Sequence, residues 1–387
     1  MSGFSVPPET LDILSENADR TDREAGFPVA GLQALRDCGL MGINVPPEYG
    51  GRGASLEEIT KVARTLAPAC LSTAMIWAMH VSQADALVRH ASADLRSEVL
   101  PRIAAGKEYL ASVTTEAGRG SDLFTAHTPL RVENGRAAFT GRRAPVVTGG
   151  MQADGFLVTL RAHQEAQPHE VSLLYARREQ LTLVGSGDWD PMGMRGTESL
   201  GWEISGEVPA GNVVGEAGKF QEVARESMVP TAHIGWSACW LGAAEGAYRR
   251  LIRWLRAPRR QGGPQVRSEL LRERLGRIRV DLDLVSAYLH RVCASVEAAR
   301  AEGSGLSAPV TQLRLNSLKL AASELTFRAV DAMLQTAGMG PGYMRSAPLG
   351  LERAFRDLRS ARLNHSNDRM WPATGALALL DTKVDLL

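Results

Sequence analysis

The sequence predicts an α+β chain in three parts: a helical N-terminal domain over residues 1–111, a central antiparallel β-sheet or β-barrel domain over 112–218, and a C-terminal helical bundle over 219–387. Three observations predict it. Apolar residues recur at helical spacing in the first and last parts. Short β-rich runs bounded by Gly, Asn, Asp and Pro fill the middle. No alternation of strands with helices runs along the chain, which excludes a Rossmann-type parallel sheet.

In the first part, Leu32, Leu35, Leu40 and Met41 recur near helical spacing and lead into the turn Val45-Pro46-Pro47-Glu48-Tyr49-Gly50-Gly51-Arg52-Gly53. Leu56, Ile59, Val62, Ala63 and Leu66 then trace the stripe of an amphipathic helix, closed by Ala67-Pro68. Leu71 to His90 is apolar apart from Ser82 and Gln83 and too long for a strand, so a buried helix is expected; Leu95 to Ala105 makes a shorter one. In the middle, the strand candidates are Gly155–Leu160, Glu170–Tyr175, Leu181–Val184 and Trp202–Ile204. Asn134-Gly135 between two of the β-rich runs is a hairpin signal, because both residues tolerate left-handed backbone. In the last part, Ile252, Leu255, Leu270, Leu271, Leu275 and Ile278, then Leu313 to Leu325, suit long helices with short joints, the pattern of a bundle.

Composition narrows the function. Lys and Arg number 44 against 43 Asp and Glu, a net charge of +1, which leaves no electrostatic footprint for nucleic acid or an anionic membrane surface. Apolar residues make 44% of the chain, so wholesale disorder is excluded, and no run approaches the length of a membrane span. The first residues carry no basic and apolar secretory pattern, and Cys38, Cys70, Cys239 and Cys293 are scattered, so four buried thiols in a cytoplasmic protein are expected. The eight histidines show no metal-binding spacing.

Three segments carry chemical information. In Thr115-Glu116-Ala117-Gly118-Arg119-Gly120-Ser121-Asp122, two glycines allow close backbone approach, and the hydroxyls of Thr114, Thr115 and Ser121 are donors for an electron-rich ligand; alone, the segment equally suits a tight turn with an Asx bond from Asp122. Trp189 to Ser199 is a glycine-punctuated loop. Gln335-Thr336-Ala337-Gly338-Met339-Gly340-Pro341-Gly342 follows a helix and suits either a backbone platform for a phosphate or adenine edge or a helix C-cap.

Taken in order, these segments resemble the acyl-CoA dehydrogenase superfamily. Thr115 to Asp122 matches its Thr-Glu-Pro-Gly-x-Gly-Ser-Asp motif with Ala117 in the proline place; Gly193 to Ser199 matches its Gly-Met/Ile-Arg-Gly-x-x-Ser loop; Gln335, Gly338, Arg356 and Asp357 match its Gln-x-x-Gly-Gly…Arg-Asp tail, and Val45 to Gly53 its N-terminal turn. The resemblance covers nearly the whole chain and implies a C-terminal four-helix bundle and a non-covalent FAD, favoured over FMN, between the β domain and the bundle. It places Thr114, Thr115, Gly120 and Ser121 against the flavin ring and pyrophosphate, with Val147, Thr148 and Asn367 also lining the cofactor. Gln335 and Gly338 would reach the adenosine half of FAD in a neighbouring subunit of a homotetramer or homodimer. The implied substrate is an acyl thioester of CoA or a carrier protein, and the implied partner an electron-transfer protein or a flavin reductase.

The chain departs from that pattern where the chemistry is done. The dehydrogenases carry a catalytic Glu nine residues after the Arg of Arg-Asp; here that place is His365. Some members put the Glu on the first bundle helix, where this chain reads Met228 to Trp236 with no carboxylate in register, and Glu226 lies off it. His365 suits proton transfer at neutral pH, and Asp368, three residues on, would orient its ring if the segment is helical. Pro145 stands where an aromatic residue often packs on the flavin, and Val147-Thr148-Gly149-Gly150 is similar to a turn of flavin-dependent monooxygenases on this fold. Arg259 or Arg260 would supply charge to the FAD pyrophosphate, without the family's aromatic partner. The leading reading is α,β-dehydrogenation with His365 as base. The alternative is a two-component monooxygenase using reduced flavin and O2, with His365, His233 or His80 handling protons; His80, in an apolar helical stretch, suits a satisfied core residue better. A flavin-binding scaffold without activity would leave Thr115–Asp122 and Gln335–Gly338 without purpose.

Overall fold

The computed structural model describes residues 5–118, 122–257 and 268–386. Five helices come first: α1 (Pro8–Glu24), α2 (Val29–Asp37), α3 (Leu56–Leu66), α4 (Leu71–His90) and α5 (Ala93–Ala104). The start of α3 is set by a reciprocal cap. Ser55 Oγ accepts from the Glu58 N–H at 3.2 Å while the Ser55 N–H donates to the Glu58 carboxylate at 2.9 Å. Helix α4 is buried along nearly its whole length, as its mostly apolar run requires, and its buried Asp85 is paired with Arg89 and Arg300.

Eight strands follow: β1 (Leu110–Val113), β2 (Arg131–Glu133), β3 (Arg136–Val147), β4 (Gly155–Arg161), β5 (Val171–Arg177), β6 (Leu181–Ser186), β7 (Leu200–Pro209) and β8 (Val213–Val214). The hairpin between β2 and β3 turns at Asn134 and Gly135 with φ of 50° and 73°, as the dipeptide predicts. The barrel does not form. The strands make two four-stranded sheets, ordered β1-β4-β5-β8 and β2-β3-β7-β6. Nor is the domain wholly antiparallel, since β1 runs parallel to β4. A parallel pair needs a crossover connection, and here the chain spends it building β2 and β3 of the other sheet; local sequence patterns carry no signal for that pairing. Pro145 falls at a register shift between Ala144 and Val147, where a residue without an N–H costs no ladder bond.

The last part holds α6 (Phe220–Val223), a π turn over Ala224–Met228, then α7 (Val229–Arg256), α8 (Glu269–Glu302), α9 (Pro309–Ala337), α10 (Leu351–Arg359) and α11 (Asn367–Ala378). Helices α7, α8, α9 and α10 form the bundle, and α7 also packs on α3 and α4. Gly242 and Gly246 of α7 permit that approach: a Cβ on either would lie 2.6 Å from the Arg64 carbonyl or 2.7 Å from Pro68 Cβ. One hydrophobic core therefore runs from the N-terminal helices into the bundle. All four cysteines are free thiols, three buried and Cys38 half-buried. No helix among the described residues is long and apolar enough to cross a membrane.

Candidate active site

His365 lies in the loop between α10 and α11, in left-handed backbone with φ of 49°. That conformation costs a non-glycine residue about 1–2 kcal/mol, so something must hold it. The holder is Lys319 of α9, fully buried, whose Nζ donates to the His365 carbonyl at 3.1 Å and to Asn367 Oδ1 at 2.6 Å. The Asn367 amide in turn donates to Ser323 Oγ at 3.0 Å and Glu324 Oε1 at 2.8 Å. The ring of His365 turns towards α7, and its Nδ1 lies 3.2 Å from Nε2 of buried His233. Trp236 stacks beyond His233 at 5.8 Å between centroids, and its indole N–H is buried without a partner.

Electrostatics keep this cluster neutral. Burial pushes His365 down to about 4, with the Lys319 charge adding to the fall and Asp122 opposing it. Burial likewise holds His233 well below 6.5, followed by the charges of His365 and Lys319. Lys319 itself is pushed down to about 7 by burial, against the pull of Glu324. Asp122, distant in sequence, is close enough for its charge to act on His365.

The loop that carries Glu116 and Asp122 is built as much for rigidity as for contact. Glu116 accepts from the N–H groups of His127 and Thr128 at 2.7 and 3.1 Å and from Thr128 Oγ1 at 2.6 Å, and it lies 3.5 Å from buried Arg142. Asp122 accepts from the Phe124 N–H at 3.0 Å, the Asx turn expected of it. Thr114 and Thr115 are half-buried at the end of β1. Gly120, Ser121, Arg259 and Arg260 lie outside the described residues. Val147 is buried, and the Thr148 hydroxyl sits 3.0 Å from that of Ser199, which closes the Gly193–Ser199 loop. The Trp202 indole N–H, buried and unpartnered, lies beside the same turn. Unpaired indole donors and a hydroxyl pair suit the nitrogen- and oxygen-rich edge of a flavin.

Several expected residues stand elsewhere. Asp368 is exposed and is not the partner of His365: Asp368 is in the first turn of α11 but His365 precedes the helix, so helical spacing does not apply, and His233 takes the place assigned to it. Asn367 is buried, with its carboxamide committed to Lys319, Ser323 and Glu324. Gln335 is exposed, roughly 24 Å along the helix from Lys319 at 1.5 Å per residue, and Gly338 beyond it caps α9 with φ of 79°. They do not join the His365 cluster of their own chain. Glu226 is spent on the N–H of Leu306 and the hydroxyl of Ser307. His80 is a core residue: its Nδ1 accepts from the Leu110 N–H at 3.1 Å and its Nε2 donates to the Met41 carbonyl at 2.8 Å. Sequence reasoning missed Lys319; its signal is a lysine between Leu318 and Leu320 in a helix whose leucines recur from Leu315 to Leu325.

These neutral histidines predict acid lability. Burial lowers His80 and His365 to about 4 from the ordinary 6.5, so below pH 6.5 the unfolded chain takes up protons that the folded chain refuses. Stability then falls as pH drops towards 4, by about 3 kcal/mol for His80 alone. Asp357 works the other way, since burial raises it to about 6 and protonation relieves a penalty of about 3 kcal/mol over the same window. His365 and His233 tip the balance, and urea unfolding midpoints are expected to fall between pH 6.5 and 4. A flat or rising profile would show that these imidazoles are not held neutral.

Comparison with known proteins gives the family and the fold. Residues 12–107 match the family described as acyl-CoA dehydrogenase, N-terminal domain, and residues 223–365 match acyl-CoA dehydrogenase, C-terminal domain. The chain is 27% identical to acryloyl-CoA reductase (NADH) of Anaerotignum propionicum, over 89% of this chain and 85% of that one. Its fold is similar to that of butyryl-CoA dehydrogenase from Megasphaera elsdenii, with a TM-score of 0.83, 19% identity, and coverage of 97% and 99% of the two chains. It is similar too to TdsC from Paenibacillus sp. A11-2, solved with FMN and indole, with a TM-score of 0.85, 19% identity, and coverage of 96% and 95%.

Proposed function

The chain belongs to the acyl-CoA dehydrogenase family, and from that premise we propose that it is an FAD-dependent oxidoreductase acting on an acyl thioester, with His365 as the base in place of the family Glu. The observation that carries the proposal is the state of His365. It stands where the resemblance to the family puts the base, its imidazole is neutral at pH 7, and only its Nδ1 is engaged by the protein among the described residues. A neutral imidazole can take the α-proton of a thioester at Nε2. Asp122 favours the imidazolium that results, and the buried Lys319 opposes it, so the proton is held briefly and then released to solvent. Bound in the cleft, the flavin would supply the two-electron acceptor. Thr114, Thr115, Val147, Thr148 and Ser199 are the described residues that would line it, joined by Gly120 and Ser121.

The remote cofactor contacts need a second copy of the chain. Gln335 and Gly338 are too far from His365 to serve the same site, and exposed apolar residues are available for association: Val280 and Leu284 on α8, and Met339 and Tyr343 beyond α9. This supports FAD over FMN, and a homotetramer or homodimer. CoA or a carrier protein would present the thioester, an electron-transfer protein would reoxidise the enzyme, and the four free thiols favour the cytoplasm.

One observation favours a second reading, a two-component monooxygenase supplied by a flavin reductase. An imidazole held near 4 is a weak base for a carbon acid but a serviceable proton donor and acceptor near bound oxygen. The two readings separate on the purified protein. Anaerobic titration with a panel of short-chain acyl-CoA thioesters is expected to bleach the flavin absorbance without added reductant. No bleaching, with oxygen uptake that needs externally reduced flavin, would transfer the assignment to the monooxygenase. Failure to retain or take up any flavin would overturn both.

A further inference from the structure

Two neutral imidazoles 3.2 Å apart need one donor and one acceptor. Two arrangements are open. If His233 Nε2–H donates, the His365 proton sits on Nε2, and His365 has no lone pair left for a substrate. The bare Nδ1 of His233 is then buried without a hydrogen bond of normal geometry, and the Leu315 carbonyl is the backbone acceptor acting on that ring. Two lone pairs would face each other in a dry interior, which is costly. In the reverse arrangement His233 carries its proton on Nδ1, towards that carbonyl, and its Nε2 accepts from His365 Nδ1–H. The His233 Nδ1–H then faces an acceptor, short of normal hydrogen-bond geometry, and no two lone pairs oppose each other.

We propose that His233 is a positioning residue that fixes the His365 proton on Nδ1 and leaves Nε2 bare as the proton acceptor. The proposal rests on the reading of His365 as the base. His233 stands here where a carboxylate orients histidine in hydrolytic triads, with one difference: a neutral orienter sets the tautomer without stabilising the imidazolium. The surroundings favour neutrality. Lys319 of α9 faces both rings, Asp122 faces His365 from the β domain, Glu324 is occupied by Asn367 and Arg362, and Asp368 is exposed. Lys319 also holds the His365 carbonyl, which fixes the backbone from which the ring reaches His233.

The test reads the tautomer directly. Protein labelled with [15N]histidine is sedimented and its imidazole nitrogens are recorded by solid-state NMR at pH 7; eight histidines give a tractable spectrum, and His365→Gln assigns the relevant pair. The expected result is a protonated Nδ1 and a bare Nε2 on His365. In His233→Leu the proton moves to Nε2 in at least half the molecules, whereas His233→Gln, whose carbonyl reaches the same place, retains it on Nδ1. A wild-type spectrum with the proton on Nε2 overturns the proposal by itself, whether or not the variants fold, and so does an unchanged tautomer in His233→Leu. Thioester titrations fail or succeed independently of this spectrum, so the loss of one reading is not mistaken for the loss of the other.

Discussion

His365→Ala is expected to lower turnover by about 10²–10⁴-fold, the range for removing a general base, while flavin content stays at the wild-type level. The residues proposed to line the cofactor come from β1, the β3–β4 turn and the Gly193–Ser199 loop, none of which leans on the imidazole. A second substitution separates chemistry from folding. At φ of 49° glycine has no penalty to relieve, so His365→Gly is expected to exceed His365→Ala in stability by about 1 kcal/mol, yet to be equally slow. Added imidazole should restore part of the rate in the glycine variant, because it fits the space left between His233 and the cleft. Undiminished turnover in either variant would remove His365 from the mechanism. Loss of flavin together with activity would mean that the loop is structural.

How far this site could be read from sequence depends on the range of each interaction. Helix α3 and the Asn134-Gly135 hairpin are local events, set by residues three or four apart, and both stand where the pattern places them. The parallel pairing of β1 with β4 and the splitting of the β domain into two sheets depend on partners far apart in the chain, and no local pattern records them. The same division runs through the site. Counting from Arg356 finds His365, because one turn and one loop fix that spacing. Its partners come from α7 and α9, long-range neighbours that only the bundle brings together. Asp368 looked like the orienting group because a helix was assumed to include His365; the left-handed residue there ends that register and sends the ring to His233 instead. Lys319 is the one partner with a legible trace, since a charge in an otherwise apolar helical face must find polar partners or lose its proton.

Arg356→Ala is expected to cost about 3–5 kcal/mol, the loss typical of breaking a buried ion pair from one side. The guanidinium is 8% exposed and reaches both oxygens of Asp22 at 2.8 and 2.6 Å, Glu352 Oε2 at 3.0 Å and the Met192 carbonyl at 3.0 Å. Alanine would leave two shielded carboxylates facing each other. The next residue, Asp357, accepts from the Met194 N–H at 2.6 Å, and Arg195 Nε donates to the Asp22 carbonyl at 2.6 Å. These bonds tie α1, the Gly193–Ser199 loop and α10 into one clamp at the root of the loop that carries His365. A Cβ on Gly193 would lie 2.0 Å from the Arg356 carbonyl, so the two segments are as close as backbone permits. The Arg-Asp pair of the C-terminal tail therefore holds α1, the Gly193–Ser199 loop and α10 together. Arg356→Lys should recover only part of the loss, because an ammonium cannot span both carboxylates as the planar fork does. Urea unfolding of the three proteins measures this, and flavin retention measures its reach, since a loosened Ser199 no longer holds Thr148. A cost below about 1 kcal/mol for alanine would place Arg356 among surface ion pairs and remove the clamp from the account of how His365 is held.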